Sequence, residues 1–220
     1  MNNNLLLYGS FARGDFSSES DVDLLTLIKG HSYKAVFNKI NISYYNRDKL
    51  IEMATSGSLF VFHLNRESRV LTDEDNLLSD IIFGKFILKQ NYFEDIRFGK
   101  TLLNDIFSKY DDIDNYAYAN SKVSWCLRTI YSGIGADQNI ALFSKEKIAA
   151  FFGKESSKFL EIKNLTNYQK KLVSKIIKET DKLLSHPLTI NEQFRPDLMI
   201  FRNDVNSKLF KSQQDEFDGY

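Results

Sequence analysis

The chain has 220 residues, of which 43% are hydrophobic and 26% are charged, a composition typical of a globular protein with one large or two small domains. Its 29 basic and 29 acidic side chains cancel, so net charge gives no sign of a general attraction to nucleic acid, although a local basic patch stays open. No apolar run is long enough to cross a bilayer and no signal peptide is evident, so we expect a cytoplasmic protein without a membrane partner.

The first third of the chain predicts alternating strands and helices. Apolar runs and period-two alternation favour strands over residues 5–8, 22–28, 39–45 and 70–71. Short helices are predicted over 10–14, 32–38 and 48–56, the last with Asp48 as its N-cap, and another apolar run covers 59–64.

From Glu74 the pattern changes to a helical period. It predicts helices over 74–88, 91–109, 114–133, 144–152 and 164–185. The single cysteine, Cys126, falls in one of these apolar stretches and is expected to be a buried thiol. The sequence therefore indicates an α+β protein in which residues 1–73 form a small mixed sheet with flanking helices. Residues 74–190 form an all-helical domain, and 191–220 form a partly loose extension.

Gly9-Ser10 and Asp21-Val22-Asp23 are the most informative residues of the chain. The apolar run over residues 5–8 directly precedes the Gly-Ser turn, and the apolar run over residues 22–28 begins at the two acids. Residues two apart in a strand point to the same face, so both carboxylates would project together. Mg²⁺ prefers one or two carboxylates together with phosphate oxygens, and a glycine at a helix start lets the backbone approach an anion. Taken alone, Asp-x-Asp also occurs at solvated strand edges, and no Gly-Lys-Ser/Thr follows Gly9 as a P-loop requires.

These residues resemble the signature of the nucleotidyltransferase superfamily, which includes DNA polymerase β, kanamycin nucleotidyltransferase and the small MNT-type proteins. The resemblance covers about the first third of the chain and extends to Ala12-Arg13-Gly14 and Ser20. It implies a polymerase β-like fold. It also implies that Asp21 and Asp23 are catalytic residues that hold Mg²⁺, or Mn²⁺ in its place, and that Gly9, Ser10 and Arg13 bind the nucleotide. For Arg13 an ion pair with Asp15 or Glu19 is an equal alternative.

The third carboxylate of that superfamily has no acidic counterpart here. The best corresponding position, on the predicted third strand, is Asn41, which brings no charge and accepts no proton. Members of that superfamily usually carry a helix before the first strand, and this helix covers one side of the sheet. Here we expect another segment or a partner to cover that side.

Two functions follow as hypotheses. The first is a nucleotidyltransferase that moves a nucleoside monophosphate from an NTP, with ATP favoured, to a hydroxyl. By resemblance to the MNT branch the acceptor is a protein such as a partner toxin, which would make the chain antitoxin-like; an RNA or a small molecule stays open. The alternative is a catalytically impaired protein of the same fold that binds nucleotide or serves as a protein-interaction module, as Asn41 suggests.

Overall fold

The computed structural model describes residues 4–184 and 194–210. The chain divides into two compact units, the first comprising Met1–Asn91 with Gly135–Ser144 and the second Tyr92–Ile134 with Lys145–Tyr220. The predicted end of the last helix near residue 185 and the predicted loose tail over 211–220 lie outside the described residues.

The first unit is built on a mixed five-stranded sheet. Its elements are β1 (Asn4–Tyr8), α1 (Gly9–Arg13), β2 (Val22–Ile28), β3 (Tyr33–Phe37), β4 (Ile40–Asn46), α2 (Arg47–Thr55), α3 (Leu59–Glu67), β5 (Arg69–Asp73) and α4 (Leu77–Ser79), which continues as one π-helical turn (Asp80–Gly84). The strand order is β3-β4-β2-β1-β5. β2 and β4 run parallel, whereas every other neighbouring pair is antiparallel. The predicted α+β fold class is confirmed.

One face of this sheet carries the core of the first unit, and we call it the inner face. Leu6 of β1 and Leu25 of β2 are fully buried there, because side chains alternate along a strand and these two pair across the ladder. Leu50 of α2 and Val61 and Leu64 of α3 pack in the same cluster. These helices therefore cover the inner face, and the polar residues at one end of it border the core.

Three predicted features of the first unit need correction. Residues 32–38 were expected to be helical, but Tyr33–Phe37 form β3, because pairing with β4 outweighs the weak local helical pattern. Asn46 rather than Asp48 caps α2, since its side chain accepts hydrogen bonds from the backbone N–H groups of Asp48 and Lys49. The boundary predicted at residue 73 falls inside the first unit, whose core includes Leu78 and Ile81.

The regular secondary structure in the described residues of the second unit is all helical. It contains α5 (Phe93–Ser108), most of α6 (Tyr116–Asp137), α7 (Lys145–Phe152), α8 (Lys154–Phe159), α9 (Lys170–Leu183) and α10 (Pro196–Lys208). Gly99 of α5 lets α6 approach closely, because a Cβ there would lie 3.2 Å from the carbonyl oxygen of Cys126. Cys126 is fully buried, and this burial raises the pKa of its thiol, as expected for a structural cysteine.

Charged groups inside the second unit are paired. Lys100 Nζ lies 2.7 Å from Asp181 Oδ1 and donates a 2.9 Å hydrogen bond to Thr180 Oγ1. Arg202 donates two hydrogen bonds to the carboxylate of Asp105, at 2.5 and 3.0 Å. In the part of the chain that the structure describes, none of the helices has both the length and the apolar character of a bilayer-spanning segment.

Candidate active site at the end of the sheet

Gly9 forms a sharp elbow between β1 and α1. Its φ of +73° is in the left-handed region, which glycine adopts without strain. A Cβ at this position would lie 2.7 Å from Oδ2 of Asp23, closer than van der Waals contact allows. Gly9 is therefore required both by the turn and by the approach of the Asp23 carboxylate to the backbone.

Asp23 is the central acidic side chain of the site. It lies on β2, where its backbone neighbours are Tyr8 on β1 and Asn41 on β4. Burial raises the pKa of its carboxyl above the ordinary value of 3.8. A hydrogen bond from Asn41 and the positive charges of Lys34 and Arg13 oppose that rise. The site thus holds a partly desolvated carboxylate whose neighbours favour its ionised form.

Asp21 precedes β2 by one residue and is exposed to solvent. Its negative charge contributes to the raised pKa of Asp23, which places the two carboxylates within electrostatic reach of each other. One of the pair is held rigidly in the sheet, and the other is in water at the strand entrance. Such a pair is suited to a cation that arrives from solvent, because the exposed carboxylate loses little hydration before the cation binds.

Asn41 is buried beside Asp23 on the parallel strand β4, with 8% of its surface exposed. Its Nδ2 donates a 3.1 Å hydrogen bond to Oδ1 of Asp23. Asn41 is therefore next to Asp23 in space, at the position where the resemblance implied a third carboxylate. Across residues 4–184 and 194–210, no group of three His, Cys, Asp or Glu side chains is arranged to hold a metal ion.

Arg13, at the end of α1, is held by two carboxylates. Its Nε lies 2.9 Å from Oδ2 of Asp15, and its Nη1 lies 3.2 Å from Oε2 of Glu67 on α3. Glu67 has 3% of its side chain exposed and also lies 3.6 Å from Nε2 of His63. The ion pair with Asp15 that the sequence left open is present, and Glu67 is an additional partner that no local pattern indicated. Ser10 lies half-buried at the first turn of α1, next to Gly9.

Two features of the site were missed from the sequence. Lys34 lies on β3 opposite Ser43, and its charge lowers the pKa of Asp23. It was missed because residues 32–38 were predicted as a helix; an alternating strand pattern would have placed it on the inner face. Tyr8 and Ser43 share a 3.0 Å hydrogen bond. Burial raises the pKa of Tyr8 to about 12, so this phenol stays protonated.

The donor set suits a divalent cation bound together with a polyphosphate. Two carboxylates, one of them desolvated, match the ligands that Mg²⁺ uses when substrate phosphates complete its coordination. Asn41 adds an amide oxygen without charge. The residues therefore fit such an ion, with one negative charge fewer than a three-carboxylate site.

A glycine-serine elbow against a strand that carries Asp23 and follows Asp21, on a small mixed sheet, is the arrangement of the nucleotidyltransferase class of proteins. Residues 2–113 match the nucleotidyltransferase domain family, so the chain belongs to that family. It is also structurally similar to a nucleotidyltransferase-like protein from Exiguobacterium sibiricum 255-15, at 11% sequence identity and a TM-score of 0.35, over 94% of this chain and 83% of that chain. No curated protein matches the chain.

Proposed function

We propose that this protein transfers a nucleoside monophosphate from an NTP, with ATP favoured, to a hydroxyl group. The observation that carries the proposal is the contact of the Asp23 carboxylate with the Gly9 elbow, at the distance where a side chain on residue 9 would collide with it. This contact supports the proposal, because the carboxylate that would bind the metal lies against the backbone turn that would accept a phosphate. Nucleotidyl transfer needs this arrangement, because its main demands are in-line positioning and charge neutralisation.

Asp21 and Asp23 would hold the divalent cation, Mg²⁺ or Mn²⁺. When bound, such a cation neutralises the triphosphate and stabilises the entering and leaving oxygens. Asp23 is suited to this by its partial burial, since a desolvated carboxylate attracts a cation more strongly than a hydrated one. Asp21, exposed at the strand entrance, supplies the second charge.

Ser10, Arg13 and Lys34 would bind the phosphates. The first N–H groups of α1 have no partner within the helix, so the Gly9-Ser10 backbone offers donors to an anion. Arg13 is held in place by Asp15 and Glu67 while its charge still acts on Asp23. Lys34 lies on β3, the strand next to β4, and is exposed. Its side chain can therefore change conformation to contact a phosphate with little loss of packing.

Asn41 favours the alternative function, a protein of this family that binds nucleotide but transfers it poorly or not at all. An amide cannot accept the proton of an attacking hydroxyl, so that proton must pass to water or to another carboxylate. In this alternative the protein acts as a nucleotide-dependent interaction module.

Label transfer tests the proposed activity. The protein is incubated with α-labelled ATP, GTP, CTP or UTP, with Mg²⁺ or Mn²⁺, and with cell lysate, and labelled products are separated into protein, RNA and small-molecule fractions. We expect transfer that is lost in Asp21→Ala/Asp23→Ala. Label that persists in this double variant, or no label with any nucleotide, contradicts the enzyme hypothesis. A labelled tyrosine on a second protein would support an antitoxin-like acceptor.

Asn41→Asp distinguishes the two functions. If the wild-type site lacks only a proton acceptor, the third carboxylate raises the transfer rate by roughly 10²–10⁴-fold. It also crowds Asp23 with negative charge, so a divalent cation should raise the melting temperature of Asn41→Asp more than that of the wild type. A larger metal-induced shift without a gain in transfer would support the binding module.

A further inference from the structure

The second face of the sheet, which we call the outer face, is apolar across its central strands. The side chains that alternate with the buried inner ones point to this face. On β1, β2 and β4 six of the outward positions are Leu5, Leu7, Leu24, Ile28, Ile42 and Tyr44. A sheet with one solvated face normally carries polar residues there. This pattern is that of a sheet with both faces covered.

The outer face is only partly covered in the described chain. None of its six apolar positions on the central strands is fully buried, whereas Leu6 and Leu25 on the inner face are completely inaccessible to solvent. Toward the β3 edge the exposed fraction reaches 50% for Tyr33 and 60% for Phe37. Tyr33 stacks on Tyr44 with ring centroids 4.4 Å apart, which extends the flat apolar surface to that edge. Contiguous apolar surfaces of this kind mark interaction sites.

We propose that a second copy of this chain covers the outer face, so that the protein is a homodimer with two sheets packed face to face. The outward positions of β1 to β4 carry no charged side chain, and Arg69 on β5 lies at the rim. An uncharged face is compatible with itself, because a two-fold contact pairs each residue of the face with another residue of the same face, and no like charges are then opposed.

The size of the face fits this occupant. Four strands of five to seven residues, about 4.8 Å apart, span roughly 20 Å by 20 Å in plane. The accessible surface of the face is larger than this flat area, because side chains corrugate it and the rim adds to it. The area that a partner would bury therefore approaches the ~800 Å² per partner of a standard interface. The site around Asp23 is on the inner face, so sheet-to-sheet pairing leaves both sites open.

Phe37 and Val36 provide a matched test on adjacent residues. Both lie on β3, with 60% and 61% of their surfaces exposed, but Phe37 points to the outer face and Val36 to the inner face opposite Asn41. We expect the wild-type protein to sediment as a dimer at micromolar concentration. Phe37→Lys should raise the dimer dissociation constant about tenfold or more, because it places an unpaired charge in an apolar interface. Val36→Lys should leave the constant unchanged.

Leu24→Lys, at the centre of the outer face, provides the stronger disruption, with circular dichroism and thermal unfolding as the check that the variant folds. A folded Leu24→Lys monomer supports the proposal. Wild-type protein that is monomeric at ~200 µM would overturn it and leave the face to a different protein. Equal weakening by Val36→Lys and Phe37→Lys would also overturn it, since this would indicate pairing through the β3 edge.

Discussion

The end of the sheet around Asp23 and the helical unit around α5 both remove charged side chains from water, but in different ways. In the helical unit, Lys100 pairs with Asp181, and Arg202 forms a two-pronged contact with Asp105. At the end of the sheet, the side-chain hydrogen bond to Asp23 comes from the neutral amide of Asn41. Burial raises the pKa of Asp23, and this hydrogen bond together with the charges of Lys34 and Arg13 offsets the rise only in part.

This difference separates structural charge from charge held ready for a ligand. A buried ion pair with its partner in place satisfies itself and has little to offer a third group. A desolvated carboxylate without a bound cation destabilises the folded protein unless a ligand compensates, and such groups concentrate at functional sites. Substitutions at Asp23 and at the residues around it distinguish these two kinds of charge.

Replacing the two kinds of aspartate should have opposite consequences. Asp23→Asn removes a desolvated charge and keeps the capacity to hydrogen-bond with Asn41, so we expect a higher free energy of unfolding and a loss of transfer of at least ~10³-fold. Asp105→Asn leaves Arg202 without its counter-charge, so we expect a loss of ~1–3 kcal/mol in stability and normal transfer. Chemical denaturation and label transfer measure both. Destabilisation by Asp23→Asn would place it with the structural pairs.

Two glycines with similar positive φ angles isolate the contact with Asp23. Gly9 has φ +73° and Gly14 has φ +82°, but a Cβ at Gly14 would meet nothing within 4 Å. Both alanine variants should be strained by ~1 kcal/mol or more. Gly9→Ala should in addition displace the Asp23 carboxylate and reduce transfer by about 10²-fold, as small misplacements at reacting centres do. Equal activity of Gly9→Ala and Gly14→Ala would contradict the role of the elbow.

Lys34→Met tests whether the positive field around Asp23 serves the nucleotide. We expect the KM for the NTP to rise about tenfold with little change in stability, because Lys34 is exposed. Lys39→Met is the control, since Lys39 lies in the turn between β3 and β4 and contacts Glu19 and the carbonyl oxygen of Ser18. If both variants raise KM alike, a general electrostatic effect and not a phosphate contact explains the result.

The smallest expected effect is on pH dependence. The pKa of Asp23 is raised in the folded protein, so the folded state binds more protons than the unfolded state at pH values just above 3.8. Stability therefore falls as pH rises through this window, and metal affinity rises as Asp23 ionises. Asp23→Asn should flatten the dependence of the free energy of unfolding on pH. Urea denaturation of the wild type and of Asp23→Asn at several pH values measures this dependence. The same pH dependence in both proteins would show that Asp23 titrates normally.

Local patterns were sufficient for much of the first unit. The strand over 22–28 and the elbow at Gly9-Ser10 were predicted because each depends on short-range alternation or turn chemistry, whereas the position of Asn41 beside Asp23 was implied by the family resemblance. The roles of Asp21, Asp23, Ser10 and Arg13 stay predictions. The helix predicted over 32–38 was wrong, because the five mostly exposed residues of β3 form a strand only through pairing with β4.

The sequence by itself determined the family, because a glycine elbow and two acids two residues apart form a local signature within some twenty residues. Only the tertiary structure decided which groups surround the acids. Lys34 acts on Asp23 from 11 residues away along the chain. Glu67 binds Arg13 across 54 residues, and Ser43 hydrogen-bonds with Tyr8 across 35. The burial that raises the pKa of Asp23 likewise arises only when separate strands and helices pack together, and one-dimensional spacing carries no record of that packing.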